Sequence, residues 1–245
     1  MKKLIIMIQF LTRIPINVNL EVNEDEFLDG IIYFPLVGLI IGMFMVSFYH
    51  IGYKLGGSLV AATMAVAAEV FITGGLHLDG LGDTFDGVYS NRPKERILEI
   101  MKDSRLGTNA ALAILITILL KIAFIECMPL PEVYAVLLLM PVLSKLCQVY
   151  GARYSVYARK NGMGGLFIEK VNNKQLIVAL FIATVICLIY FWAMLFIVIG
   201  YIFSRLYVRH ITSKIDGMTG DTLGALCEIS EIVYLLYFLL IFTWH

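Results

Sequence analysis

Long uncharged runs alternate with short polar ones along the whole chain. Apolar stretches cover residues 31–51, 56–72, 108–125, 133–150, 175–204 and 223–244, and most charges lie between them. A helix needs about 20 apolar residues to cross a ~30 Å hydrocarbon core, so these runs predict membrane-spanning helices. Residues 175–204 are thirty positions without a charge. As one helix they would measure about 45 Å, so a pair of shorter helices turned near Tyr190-Phe191-Trp192 is predicted instead. The apolar run at residues 4–11 is too short to span and predicts a re-entrant or interfacial segment. The expected fold class is all-α: a polytopic membrane bundle of about seven transmembrane helices, with residues 1–245 forming a single domain.

Composition agrees with that pattern. The chain is 60% hydrophobic and only 16% charged, where a soluble domain would be about a quarter charged. Nineteen basic and nineteen acidic residues cancel, but they are segregated, so the net charge says nothing about partners. Four dispersed cysteines without a CxxC pair argue against a disulfide framework or a zinc site. Sixteen of the nineteen Lys and Arg lie in residues 1–30, 73–107, 151–174 and 205–222. With seven spans these segments share one side, which the positive-inside rule makes cytoplasmic. A multi-pass protein of the cell (inner) membrane, with its polar chemistry on the cytoplasmic face, is expected.

The polar chemistry centres on residues 69–87, EVFITGGLHLDGLGDTFDG. Asp79, Asp83 and Asp86 recur at i, i+4 and i+7, which stacks them on one face of a helix. Carboxylates so close repel unless a cation neutralises them, so the spacing points to a hard divalent ion such as Mg²⁺. Glu69, near the end of the second apolar run, is a further ligand candidate, because an ionisable residue in a span needs a partner. A polar loop whose aspartates cap helix ends is the blander alternative. Gly74-Gly75 should break the preceding helix. If the chain is extended beyond that break, His77 and Asp79 fall on the same side.

Other segments carry complementary charge. Lys102 and Arg105 stand just before the third span, placed to meet anionic groups. Arg153 and Arg159 precede the flexible Asn161-Gly162-Met163-Gly164-Gly165 in the same loop, where backbone N–H groups and guanidinium can converge on phosphate. Asp216 and Asp221 sit among glycines, with Glu228 seven residues after Asp221, forming a second polar cluster. Lys121 and Lys145 interrupt spans and should snorkel or pair with a buried acid.

Residues 73–87 (TGGLHLDGLGDTFDG) resemble the signature of the cobalamin synthase family, the adenosylcobinamide-GDP ribazoletransferases. Residues 10–15 (FLTRIP), 100–107 (IMKDSRLG) and 216–224 (DGMTGDTLG) are similar to further stretches of that family, in the same order. The resemblance implies Mg²⁺-dependent joining of α-ribazole, or its 5′-phosphate, to adenosylcobinamide-GDP with release of GMP. It implies these two small molecules and the lipid bilayer as partners, with no nucleic acid and with a homo-oligomer allowed. An attacking hydroxyl needs a base, for which His77 or Asp86 is available. Asp83-Thr84-Phe85-Asp86-Gly87 also resembles part of the CDP-alcohol phosphotransferase motif, but that motif's Ala-Arg and later paired aspartates are missing. A cation transporter lined by Glu69, Asp79 and Glu228 is the remaining rival; the gathering of acids toward one side speaks against it.

Overall fold

The computed structural model of the protein describes residues 1–243, so Trp244, the last residue of the predicted final span, and His245 lie outside the described residues. Among the described residues the regular structure is helical, apart from an isolated parallel bridge between Tyr157 and Met218. The chain opens with α1 (Lys2–Leu11) and α2 (Glu24–Asp29). Lys2 pairs with Glu26 and Lys3 with Asp29, each at 2.7 Å. With only ten residues α1 cannot span, and it buries Ile6, Met7, Ile8 and Leu11 against the bundle. α2 starts on a reciprocal cap, in which Asn23 and Glu26 accept from each other's backbone N–H groups.

The first two predicted spans form one continuous element, α3 (Phe34–Thr73), that doubles back on itself. Gly56 and Gly57 leave helical geometry, Gly57 at φ +78°. A Cβ on Gly52 would lie 2.8 Å from the Ala61 Cα, whereas nine residues of straight helix measure about 13 Å. The two arms are therefore antiparallel neighbours. α3 stops at Gly74 and Gly75, both in the left-handed region, as the sequence predicted. The helix then resumes at once as α4 (Leu76–Val88). The extended stretch expected around His77 is absent, because the turn is completed within the two glycines. At 100° per residue, His77 and Asp79 diverge instead of sharing a side.

α5 (Lys94–Ile100) is short and buries Ile97, with Met101 beyond its end, beneath α4. Four longer helices follow: α6 (Thr108–Glu126), α7 (Glu132–Arg153), α8 (Asn173–Cys187) and α9 (Phe191–Ile215), before α10 (Gly220–Thr243). The long apolar run at 175–204 is indeed divided between α8 and α9 at Leu188–Tyr190. Among the described residues five helices, α3, α6, α7, α9 and α10, are long and apolar enough to cross a membrane. Against the expected seven, that count takes both arms of α3 as one and leaves out α8, which is apolar but has 15 residues.

α7 is the central post, with nearly every residue from Val136 to Ala152 buried. α4 lies against α10 without intervening side chains. A Cβ on Gly80 would stand 2.7 Å from the Asp221 carbonyl oxygen, and one on Gly224 would stand 3.4 Å from the His77 Cα. Small residues at such crossings let helix backbones approach within a bilayer. This contact sets Asp221 beside the aspartate face of α4.

Candidate functional site

The site forms where α3, α7 and α9 end and where α6 and α10 begin. Two backbone hydrogen bonds, Ala158 N–H to Met218 O at 2.9 Å and Met218 N–H to Val156 O at 2.8 Å, join the loops after α7 and α9. Arg159 then reaches across them. Its Nη1 pairs with Asp221 at 2.9 Å and its Nη2 donates to the Met101 carbonyl at 3.3 Å. Three polar segments far apart in sequence are thereby held around α4.

Asp79, Asp83 and Asp86 lie along one face of α4, as their spacing predicts, while His77 and Thr84 are buried on its other faces. A cavity of about 410 Å³ is lined by the three aspartates, with Lys102, Asp103 and Arg105 opposite. A second cavity, of about 340 Å³, is lined by His77, Asp79, Gln148, Arg159 and Asp221 together with aromatic and glycine positions. Asp79 belongs to both.

Burial, then the charges of Asp221 and Asp79, push the Asp83 carboxyl up to about 7. Like charges held this close favour a bound cation. Asp79, Asp83 and Asp221 are hard oxygen donors of the kind Mg²⁺ takes, so their chemistry fits that ion, although among the described residues the acids already drawn within 4.8 Å of one another are Glu69, Glu228 and Glu231. Asp86 is engaged differently. Its two oxygens accept from Gly107 N–H at 2.7 Å and Ala110 N–H at 2.9 Å. Those are among the N–H groups at the start of α6 that have no partner within the helix, and the positive end of the helix favours a carboxylate there. Asp86 thus anchors α6 to α4.

The remaining expected residues are placed as follows. Lys102 and Arg105 face the aspartates across the larger cavity. Arg105 is mostly exposed, and its hydrogen bonds hold the Asp103 carboxyl down at about 2. Arg153 donates to Asn173 and lies over the Tyr154 ring, and it lines neither cavity. The expected second cluster is divided three ways. Asp221 joins the site, while Asp216, in the left-handed region at the end of α9, turns to Lys94 at 3.0 Å. Glu228 turns inward.

Glu228 and Glu69 meet in the interior of the bundle. The Lys121 ammonium lies 3.0 Å from Glu69 and 2.8 Å from Glu228, and it also pairs with Glu231. Ser144 donates to Glu231 at 2.7 Å, and Lys145 donates to the Cys227 sulfur at 3.1 Å. The three carboxylates are close enough together to hold a metal ion, but a lysine ammonium already stands among them. Glu69, expected beside the aspartates, is thus paired to Lys121. Of the two outcomes expected for Lys121, snorkelling or pairing with a buried acid, the second is found.

Sequence reasoning passed over Gln148, which α7 presents to the smaller cavity. A polar side chain in the apolar run 133–150 was the available signal, the same one that marked Glu69.

The fold and site together define an all-α membrane bundle in which carboxylates and an arginine gather between two cavities. The chain belongs to the cobalamin-5-phosphate synthase family, whose model matches residues 3–239. It is 49% identical over 242 residues to the adenosylcobinamide-GDP ribazoletransferase of Alkaliphilus metalliredigens, covering 98% of this chain and 96% of the relative. Similarly named proteins of Clostridium novyi and Clostridioides difficile are 47% and 44% identical, covering 96% and 99% of each chain respectively. No solved structure matches it.

Proposed function

We propose that the protein joins α-ribazole, or its 5′-phosphate, to adenosylcobinamide-GDP and releases GMP, with Mg²⁺ as cofactor. The family and the relatives' names support the reaction. The observation that carries it in this chain is the shared wall at Asp79, where two cavities meet beside Asp83, Asp221 and Arg159. A two-substrate transfer between phosphates needs such an arrangement: two sites, opposed across charge-neutralising groups.

In the reaction the ribose 3′-oxygen forms a bond to the phosphorus that is esterified to cobinamide. The diphosphate bridge breaks at that phosphorus, GMP leaves with the bridging oxygen, and the hydroxyl proton passes to a base. Asp79, Asp83 and Asp221 would hold Mg²⁺, which when bound neutralises charge on the diphosphate oxygens. Arg159, Lys102 and Arg105 offer guanidinium and ammonium groups to phosphate. His77, buried in the smaller cavity wall, takes the proton. The detergent-solubilised protein should release GMP from adenosylcobinamide-GDP only when α-ribazole and Mg²⁺ are both present; no release would refute the reading. In the same assay His77→Ala should keep its Mg²⁺ requirement and lose roughly 10²–10⁴ in rate.

The basic segments 1–30, 73–107, 151–174 and 205–222 support a cytoplasmic site in the cell membrane, enclosed by seven spans and their lipid. In a variant lacking the exposed Cys127, cysteines replacing Asn91, Asn161 or Ser213 should be shielded from an impermeant thiol reagent in intact cells. A cysteine replacing Glu132 should be labelled. Labelling divided among the three loop positions would disprove a single cytoplasmic face.

A further inference from the structure

The smaller cavity has a composition that selects between the two substrates. Its walls include Phe10, Phe34 and Phe167, whose rings form one cluster with Phe10–Phe167 centroids at 6.0 Å and Phe34–Phe167 at 5.4 Å. Gly164, Gly220 and Gly224 also line it, with Gly164 close against the Gly220 backbone and Gly224 against that of His77. Gln148 is 5% exposed. Its Nε2 donates to the Leu223 carbonyl at 3.1 Å, which fixes the amide orientation, because the oxygen cannot face another carbonyl. The Gln148 Oε1 is left buried and without a partner. Buried acceptors are seldom left so, and the exceptions call for an explanation.

A volume of about 340 Å³ is at the lower end of small-molecule sites, and a corrinoid does not fit within it. The guanine of the other substrate carries several hydrogen-bond donors and acceptors along its edge; with Asp79 and Asp221 given to the metal and Arg159 paired to Asp221, the aromatic part of this wall answers few of them. A ribosylated dimethylbenzimidazole is different: its base is flat, apolar and has no N–H, and its only donors are ribose hydroxyls. Of these the 3′-hydroxyl attacks phosphorus and the 5′-position carries phosphate in one form of the acceptor. The 2′-hydroxyl is a donor in both forms.

We infer that this cavity is the acceptor-nucleoside subsite, with the phenylalanine cluster holding the base and Gln148 Oε1 accepting a hydrogen bond from the ribose 2′-hydroxyl. The inference rests on the function proposed above and assigns one of its substrates to one of the two cavities. Gln148 is then a specificity residue, since a site built to bond a hydroxyl rejects the analogue that lacks it.

The test is steady-state kinetics with α-ribazole and 2′-deoxy-α-ribazole, on the wild-type protein and on Gln148→Leu. In the wild type the deoxy analogue should show a KM about tenfold higher. Gln148→Leu should raise the KM for α-ribazole by a similar factor, leave that for adenosylcobinamide-GDP within about twofold, and no longer distinguish the two nucleosides. Equal KM values for both nucleosides in the wild type would overturn the inference without any variant. So would a Gln148→Leu protein that still prefers α-ribazole, or one whose defect lies in adenosylcobinamide-GDP. Absence of GMP release from the wild type with either nucleoside would instead sink the function itself, and the subsite with it.

Discussion

Replacing Asp83 by Asn should abolish turnover, by roughly a thousandfold or more, while the protein stays folded in detergent. Burial and then the charges of Asp221 and Asp79 raise the Asp83 carboxyl to about 7. Losing that charge removes a cation ligand but also relieves repulsion, so stability should hold or rise as activity disappears. Asp79→Asn and Asp221→Asn should behave alike, with Asp221→Asn also loosening Arg159. Asp86→Asn provides the contrast. An amide can accept only one of the two N–H bonds now received from Gly107 and Ala110. It should lower stability by about 1–2 kcal/mol. The checks are GMP release and the thermal midpoint, measured on each variant. Wild-type rates in Asp79→Asn, Asp83→Asn and Asp221→Asn would rule out the proposed metal set.

Lys121→Met should cost the fold rather than the chemistry. It would leave Glu69, Glu228 and Glu231 buried together without their shared ammonium. Removing one partner of a buried ionic group typically costs about 3–5 kcal/mol, a large share of the ~5–15 kcal/mol that stabilises a domain. The thermal midpoint in detergent should fall by roughly 10 °C or the protein should fail to accumulate. Adding Glu69→Gln to Lys121→Met should restore part of the loss, because fewer charges are then unpaired. A midpoint equal to wild type in Lys121→Met would show that these acids are held by something other than the lysine. The cluster joins α3, α6 and α10, and Ser144 brings in α7, so it fixes how the helices carrying the site pack.

The sequence by itself determined the membrane class, the helical bundle, the break at Gly74-Gly75, the division of 175–204 and the single acidic face of Asp79, Asp83 and Asp86. All of these follow from local rules: hydropathy over a bilayer thickness, the conformational freedom of glycine and the helical repeat. The motif at 73–87 added the family. Tertiary structure alone decided which acids work together. Asp216, Asp221 and Glu228 read as one cluster in sequence, yet three different cations, Lys94, Arg159 and Lys121, draw them to three places. Glu69 goes to Lys121, 52 residues away, and Asp86 goes to the start of α6. Except for the exposed Asp216–Lys94 pair, these pairings satisfy a charge or a helix end that becomes buried only when the bundle closes, and spacing along the chain carries no trace of it. Gln148 showed in the sequence only as a polar side chain within an apolar run. That its oxygen lacks a partner is a property of the folded cavity, created when α10 came near enough for the Leu223 carbonyl to take the amide nitrogen and leave the oxygen for a ligand.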